Sequence, residues 1–166
     1  MAEDKKMQAQ KMQAQKMQAQ KMYQLLQKAL DDRDWRYEKD DERLLVHFGV
    51  SGDDIPMKFI MAVDAERTVV RLMSLLPFEM DENKRVEGAI AACAVSNALA
   101  EGNFDYNLSK GELVYRQAMY YENCQISVDA VQYMISLSCA VVDRYNELFL
   151  ALSKGYLSIG QFLEKL

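Results

Sequence analysis

The most constraining feature of this sequence is an apolar pattern between Ser127 and Leu152 that recurs at helical spacing without a helix-breaking residue. Steps of three and four residues put one set of apolar side chains on a single helix face. That set comprises Val128, Val131, Ile135, Cys139, Val142, Phe149 and Leu152. The pattern therefore predicts a long helix that packs with this face on a sheet of the same chain.

A second apolar stripe lies beside the first and comprises Ala130, Met134, Leu137, Val141 and Leu148. The two stripes together are wider than the roughly 100° arc that a surface helix needs to cover one core. Either another helix or a second protein molecule must therefore cover the second stripe. We predict a partner or dimer interface at Met134, Leu137, Val141 and Leu148, with a sheet edge as the alternative dimer surface.

Alternating apolar residues in the first half of the chain predict strands. A short docked helix from Met22 to Asp31 precedes them. Connections of two to four residues are too short for parallel crossovers, so the strands form an antiparallel meander. The predicted strands are Trp35 to Lys39, Leu44 to Val50, Ile55 to Val63, and Thr68 to Leu76, where Pro77 ends the last one.

The second half predicts a helix, a hairpin and the long helix. Asp81 is the expected N-cap of a helix from Glu82 to Ala100, Ser127 that of the long helix, and a capping box at Ser158 opens a short last helix. Hairpin strands fall at Phe104 to Leu108 and Leu113 to Tyr121. The expected fold class is α+β: an antiparallel sheet, meander plus hairpin, with helices packed on it in the order α-β-β-β-β-α-β-β-α.

A perfect pentapeptide repeat, KMQAQ, occupies the N-terminus. All its residues favour helix, yet a period of five advances about 140° per repeat around a helix and produces no apolar stripe. We therefore expect residues 1–21 to form a helical or frayed tail and residues 22–166 to form a single domain. The alternative hypothesis is that the tail is a methionine-rich arm that binds a partner.

The charge and cysteine content of the sequence predict the class of partner and the cellular compartment. Residues 1–30 carry six lysines against two acidic residues, whereas residues 31–166 carry 14 basic against 23 acidic residues, a net charge of −9. Such an acidic domain argues against nucleic-acid binding and is compatible with solubility or with a basic protein partner.

The three cysteines, Cys93, Cys124 and Cys139, form no C-x-x-C spacing and are expected to be thiols in the core. With no signal-like or membrane-spanning run, we expect a cytoplasmic protein.

No catalytic or metal-binding motif is present, so we expect neither an enzyme nor a cofactor. The single histidine, His47, is expected to be a partly buried strand residue. The pairs Asp40-Asp41 and Asp53-Asp54 fall in predicted turns, where Asp bonds the backbone, and lack calcium-loop spacing. Five tyrosines near the hairpin are expected as core or interface residues, although they could line a ligand cleft: Tyr106, Tyr115, Tyr120, Tyr121 and Tyr133.

Two segments carry a family resemblance: Asn97 to Tyr106 (NALAEGNFDY) and Gly111 to Arg116 (GELVYR). They resemble the helix-Asn, Gly-x-Phe, hairpin segment of the YbjN family. Those bacterial proteins are described as sensory transduction regulators and share a fold with type III secretion chaperones. The element order from Met22 to Leu152 is also similar. The resemblance implies a small acidic homodimer that holds an extended segment of a client protein, and it offers no catalytic residues.

Two functional hypotheses follow. The first is a non-enzymatic protein-binding module, a YbjN-like regulator or chaperone-like adaptor that acts through exposed apolar patches. The second is a small-ligand sensor or cryptic enzyme in which the tyrosines and His47 surround a pocket. A continuous apolar surface would favour the first hypothesis, and an apolar pocket with converging polar groups would favour the second.

Overall fold

The structure, a computed structural model, describes residues 2–166, with side chains described from Lys6 onward. Its elements are α1 (Ala2–Asp31), β1 (Tyr37–Asp40), β2 (Leu45–Val50), β3 (Met57–Asp64), β4 (Val69–Glu79), a 3₁₀ turn (Glu82–Lys84), α2 (Arg85–Ala98), β5 (Asn103–Asn107), β6 (Glu112–Tyr120), α3 (Val128–Ser153) and α4 (Ile159–Leu163).

The strands form one six-stranded antiparallel sheet in the order β1-β2-β3-β4-β6-β5. In the outer pairs, Tyr37 lies opposite Phe48 and Phe104 lies opposite Tyr115. The α+β class, the meander, the hairpin and the element order are confirmed. The alternation of apolar and polar residues was sufficient for this because β2, β3, β4 and β6 bury alternate side chains along much of their length.

The chain divides into two compact units. The first comprises residues up to Phe48 with 60–71 and 118–133; the second comprises 49–59, 72–117 and 134–166. In the first unit, α1 buries Tyr23, Leu26 and Leu30. The Tyr23 hydroxyl donates to Asp41 Oδ1 at 2.9 Å, which ties α1 to the β1–β2 turn.

The core of the second unit is aromatic. Phe149 of α3 lies 5.1 Å from Phe104 of β5 and 5.3 Å from Phe162 of α4, measured between ring centroids. Tyr115 packs edge-on against Phe104 at 5.3 Å. These rings are buried, so α3, α4 and the hairpin share one apolar core.

Two predicted caps are confirmed. Ser127 Oγ accepts from the backbone N–H of Ala130 at 3.1 Å. Ser158 and Gln161 form the reciprocal capping box that opens α4. The local sequence determines such caps because the hydroxyl satisfies an N–H that has no partner within the helix.

Three predicted boundaries are wrong. Pro77 does not end β4, which continues to Glu79. Because β4 has 11 residues and β3 only eight, the last residues of β4 extend beyond β3 in the hairpin that the two strands form. Proline, which has no backbone N–H, is tolerated at such a position because no hydrogen bond to β3 is lost. Asp81 makes no side-chain cap, because a 3₁₀ turn comes between it and α2. The helix α2 ends at Ala98 rather than at Ala100, because the backbone of Leu99 is extended.

The N-terminal tail and the predicted docked helix form one continuous helix of 30 residues. Met7, Met12 and Met17 are 67%, 56% and 58% exposed, in keeping with a repeat that makes no stripe. Burial begins at Ala19, which is fully buried, rather than at Met22. The small Ala19 lies one helical turn before Tyr23 on the same face. A boundary at residue 21 stays a prediction.

Several side-chain placements differ from expectation. Cys93 and Cys124 are exposed, and only partial burial is found for Cys139. His47 is exposed on β2, opposite Glu38 of the edge strand β1, because it points away from the buried side chains of Val46 and Phe48. None of the helices in the described part of the chain combines the length and the apolar character needed to span a bilayer.

Candidate protein-binding surface

One face of the sheet in the second unit is covered by α3. Ser138 of α3 bonds Gln117 of β6, and Phe149 packs on Phe104 of β5. On β4, Leu72, Ser74 and Leu76 are buried on alternate positions, and on β6 the same holds for Leu113, Tyr115 and Gln117. The residues between them point to the opposite face.

That opposite face carries apolar side chains that the chain does not cover completely. Met73 and Leu75 of β4 lie on it with Val114 and Arg116 of the neighbouring β6 and Asp105 of β5. Leu75 is 56% exposed. We call these five residues the open sheet face.

Charged and polar groups border the open sheet face on the β5 side. Arg116 Nη2 lies 2.8 Å from Asp105 Oδ2, and both side chains are partly exposed. Asn103 Nδ2 donates to the other oxygen of Asp105 at 2.5 Å. An exposed ion pair of this kind adds at most about 1 kcal/mol to stability, so it is available to exchange partners with an incoming chain.

A chain of polar side chains behind β6 runs from the buried Ser138 and Gln117 to the exposed Glu101. Ser138 Oγ donates to Gln117 Oε1 at 2.9 Å, and Gln117 Nε2 donates to Glu101 Oε2 at 3.0 Å. Burial raises the pKa of the neighbouring Tyr115 hydroxyl, which stays protonated at neutral pH. Such a satisfied network holds α3 and β6 in one arrangement, because breaking it leaves a buried polar group unpaired.

The predicted interface stripe on α3 is largely covered within the chain. Met134 is 3% exposed and Val141 is 8% exposed, whereas Leu137 and Leu148 are partly exposed. The four residues therefore do not form an open patch. The partner or dimer interface at Met134, Leu137, Val141 and Leu148 stays a prediction, with Leu137 and Leu148 as its partly exposed residues.

Sequence reasoning missed the open sheet face. The signal was present, because the run from Val69 to Leu76 is apolar on both alternations of the strand, with Met73 and Leu75 out of phase with Leu72 and Leu76. A strand that is apolar on both faces needs cover on both sides.

The five tyrosines are divided between the two units. Tyr106 and Tyr115 belong to the second unit, whereas Tyr120, Tyr121 and Tyr133 belong to the first. Tyr115 and Tyr121 are buried, and Tyr120 and Tyr133 are 52% and 57% exposed. Within each unit they therefore include both core and surface residues.

An open cleft of about 310 Å³ lies in the first unit between α1 and the loop before α3. Its lining comprises Gln18, Lys21, Met22, Leu25, Tyr121, Asn123, Cys124 and Ile126. His47 and the other four tyrosines are not among these residues. The cleft therefore does not assemble the pocket that the small-ligand hypothesis requires.

The acidic turn residues bond the backbone. Asp40 Oδ1 accepts from the N–H groups of Glu42 and Arg43 at 3.1 and 3.0 Å, as expected for Asp in a turn. Asp53 instead donates its own N–H to Asp143 at 3.1 Å. From residue 2 to residue 166, no group of three potential metal ligands is found close together.

No protein-family model and no curated protein sequence matches this chain. Solved structures with the same fold include the following two. YbjN from E. coli, described as a proposed transcription regulator, is 11% identical with a TM-score of 0.57 over 78% of this chain and 90% of its own. The HopA1-SchA chaperone-effector complex is 15% identical with a TM-score of 0.53 over 79% of this chain and 97% of that chain. The predicted likeness to the YbjN and secretion-chaperone fold is confirmed.

Proposed function

We propose that this chain is a non-enzymatic protein-binding module, a chaperone-like adaptor or YbjN-like regulator that works in the cytoplasm as a homodimer. Its bound partner is an extended polypeptide segment held on the open sheet face. The thiols of Cys93 and Cys124 are free and exposed, which suits a reducing compartment.

The observation that supports this proposal is the 56% exposure of Leu75 on the sheet face opposite to the one that α3 covers, together with the partly exposed Met73 and Val114. Apolar side chains that point outward from a sheet offer alternate pockets to an extended chain. A polar rim around an apolar centre, as Arg116 and Asp105 provide, is the usual anatomy of a protein interface. One solved relative of this fold is a chaperone in complex with its effector.

The charge of the domain favours a basic partner. Residues 31–166 carry 14 basic against 23 acidic residues. Complementary charge raises the association rate of a protein pair more than its affinity. A segment with apolar side chains at every second position and flanking lysine or arginine residues fits the open sheet face best.

A peptide-display library selected against the full chain tests the proposal. Selected peptides should bind the wild type and lose at least tenfold in affinity for Leu75→Glu, because this change places a carboxylate in the apolar centre. Hydrogen exchange with bound peptide should show protection of β4 and β6. The matched control is Ile90→Glu, which changes another exposed apolar residue, 46% exposed, on α2.

The results distinguish peptide binding on the open sheet face from binding elsewhere on the chain. Loss of binding in Leu75→Glu with binding retained in Ile90→Glu supports the open sheet face. Equal binding by both variants, or protection confined to the cleft beside Tyr121, overturns it. Circular dichroism of both variants verifies that the fold is intact.

A further inference from the structure

The N-terminal end of α1 projects as an exposed helix before the first buried residue, Ala19. We call residues 2–17 the arm. At 1.5 Å per residue, these 16 residues extend about 24 Å. Its methionines are more than half exposed, and Lys6, Lys11 and Lys16 are exposed as well.

The arm cannot be explained by packing within its own chain. Successive repeats rotate about 140° around the helix, so neither the lysines nor the methionines form a single face. An isolated helix of this length is marginal in water. A surface that binds from outside would stabilise it.

Charge indicates what that surface is. The arm carries four lysines against Glu3 and Asp4, and Lys21 follows it, so this segment has a net positive charge whereas the rest of the chain is acidic. A complementary surface must be acidic. Attraction between exposed charges acts over roughly 10 Å at 0.1 M salt, so the partner surface must lie alongside the helix.

The end of α1 at Asp31, together with the acidic segment that follows it, provides such a surface; we call these residues, 31–42, the acidic end of α1. Residues 31–42 contain seven acidic against three basic residues. The Tyr37 hydroxyl bonds Asp31 at 3.0 Å and the Tyr23 hydroxyl bonds Asp41 at 2.9 Å, which gathers these acids around the C-terminal end of α1. Burial, and then Asp41 and Asp40, raise the pKa of Tyr23 to about 12.

The first turns of the arm cannot reach the acidic segment that follows α1 in the same chain, because Lys6 and Asp31 lie near opposite ends of one continuous helix of 30 residues, about 45 Å long. We propose that the arm of one copy docks along the acidic end of α1 in a second copy, which returns its own arm in the same way. Two antiparallel α1 helices bring both pairs of opposite charges together and oppose the helix dipoles. A surface that carries both complementary halves is what a two-fold interface requires.

The proposed contact involves α1 and residues 31–42 of the first unit and none of the five residues of the open sheet face. It also differs from a dimer through Leu137 and Leu148 of α3. An apolar contact persists or strengthens in high salt, whereas the arm contact weakens because salt screens exposed charges.

Sedimentation velocity of the full chain at about 50 mM and 500 mM salt tests the inference. The wild type should form a concentration-dependent dimer at low salt and a monomer at high salt. A variant with Lys6→Glu, Lys11→Glu and Lys16→Glu should dissociate at least tenfold more readily, since whichever of these positions faces the partner then repels its acidic residues. Glutamate is a good helix former, so the arm keeps its conformation.

The matched control is Lys6→Arg, Lys11→Arg and Lys16→Arg, which keeps the charge and should keep the dimer. A wild type that is monomeric at 50 µM in low salt would overturn the inference, as would a dimer that is unchanged by the three glutamates. A dimer that survives 500 mM salt would place the contact elsewhere, while leaving the proposed binding of peptides to the open sheet face unaffected.

Discussion

Single residues illustrate how closely the second unit is packed around Tyr115. Gly102 has φ +73°, a left-handed conformation that side chains with a Cβ rarely adopt. A Cβ there would meet the hydroxyl and the ring of Tyr115, which is fully buried. Glycine at this point therefore serves two purposes: the backbone turn into β5 and the close approach of an aromatic ring.

Gly102→Ala should destabilise the fold by about 1–3 kcal/mol more than Gly155→Ala, because inserted volume in a packed core forces a rearrangement. Gly155 has the same φ of +73° with open space around it, so it isolates the backbone contribution. Urea denaturation of the two variants measures the difference. Equal losses of unfolding free energy in the two variants would mean that the Tyr115 side chain moves aside at no energetic cost.

Cys139 should react with iodoacetamide at pH 8 at least tenfold more slowly than Cys93 and Cys124, as measured by peptide mass spectrometry. Burial, and then the carboxylate of Asp143, raise the pKa of the Cys139 thiol to about 11. Since the thiolate is the reactive form, few Cys139 side chains are reactive at that pH. Cys93 and Cys124 are exposed and serve as internal controls. Equal rates at all three sites would contradict the burial of Cys139.

At the scale of elements, α1 combines two different structures in one helix. Its C-terminal part is docked through Tyr23, Leu26 and Leu30, and its arm has no buried residue among those whose side chains are described. The docked part nucleates the helix on which the arm continues. Stability and association thus depend on different halves of the same element.

Deletion of residues 2–16 should change Tm by less than about 2 °C in 500 mM salt, where the arm is undocked. Deletion of residues 2–20 should lower Tm by several degrees, because it also removes Ala19, which is fully buried. Calorimetry of both truncations measures this. A large drop in the shorter truncation would show that the arm packs on its own chain.

On α3, the partly exposed and the buried residues of the second stripe should respond differently to charge. Leu137→Asp with Leu148→Asp should leave the fold intact and abolish any dimer that persists in high salt. Val141→Asp should unfold the chain, because burying an unpaired carboxylate costs several kcal/mol. Circular dichroism and light scattering distinguish the two results. A salt-resistant dimer unaffected by the double variant would remove α3 from the interface.

For the whole molecule, the separation of charge along the chain dominates its expected interactions. A basic arm and an acidic domain lie in one chain of net charge −5. Nucleic-acid affinity comes mainly from neutralised phosphates. The acidic domain therefore opposes the binding of DNA, even though one relative of this fold is described as a proposed transcription regulator.

Duplex DNA should show no mobility shift with up to about 10 µM protein at 150 mM salt, because the domain repels phosphates. The arm variant with three glutamates is the control for residual binding by the lysines in low salt. A sequence-selective shift at 150 mM salt would contradict a purely protein-binding role.

The sequence alone determined the class, the order of the elements and the caps at Ser127 and Ser158, because period, turn residues and capping hydroxyls act over a few neighbouring residues. Val70, Leu72 and Phe104 could be assigned to strands for that reason. The exposure of Met7, Met12 and Met17 also followed from their spacing.

Only the tertiary structure decided which apolar faces are covered. Whether Val141 or Leu75 is exposed depends on which element packs against it, and that is a long-range outcome that no local period contains. The same applies to the polar chain from Ser138 through Gln117 to Glu101, which joins α3, β6 and the loop after α2. Local pattern decides what an element is, and packing between distant segments decides which of its surfaces remains free to bind.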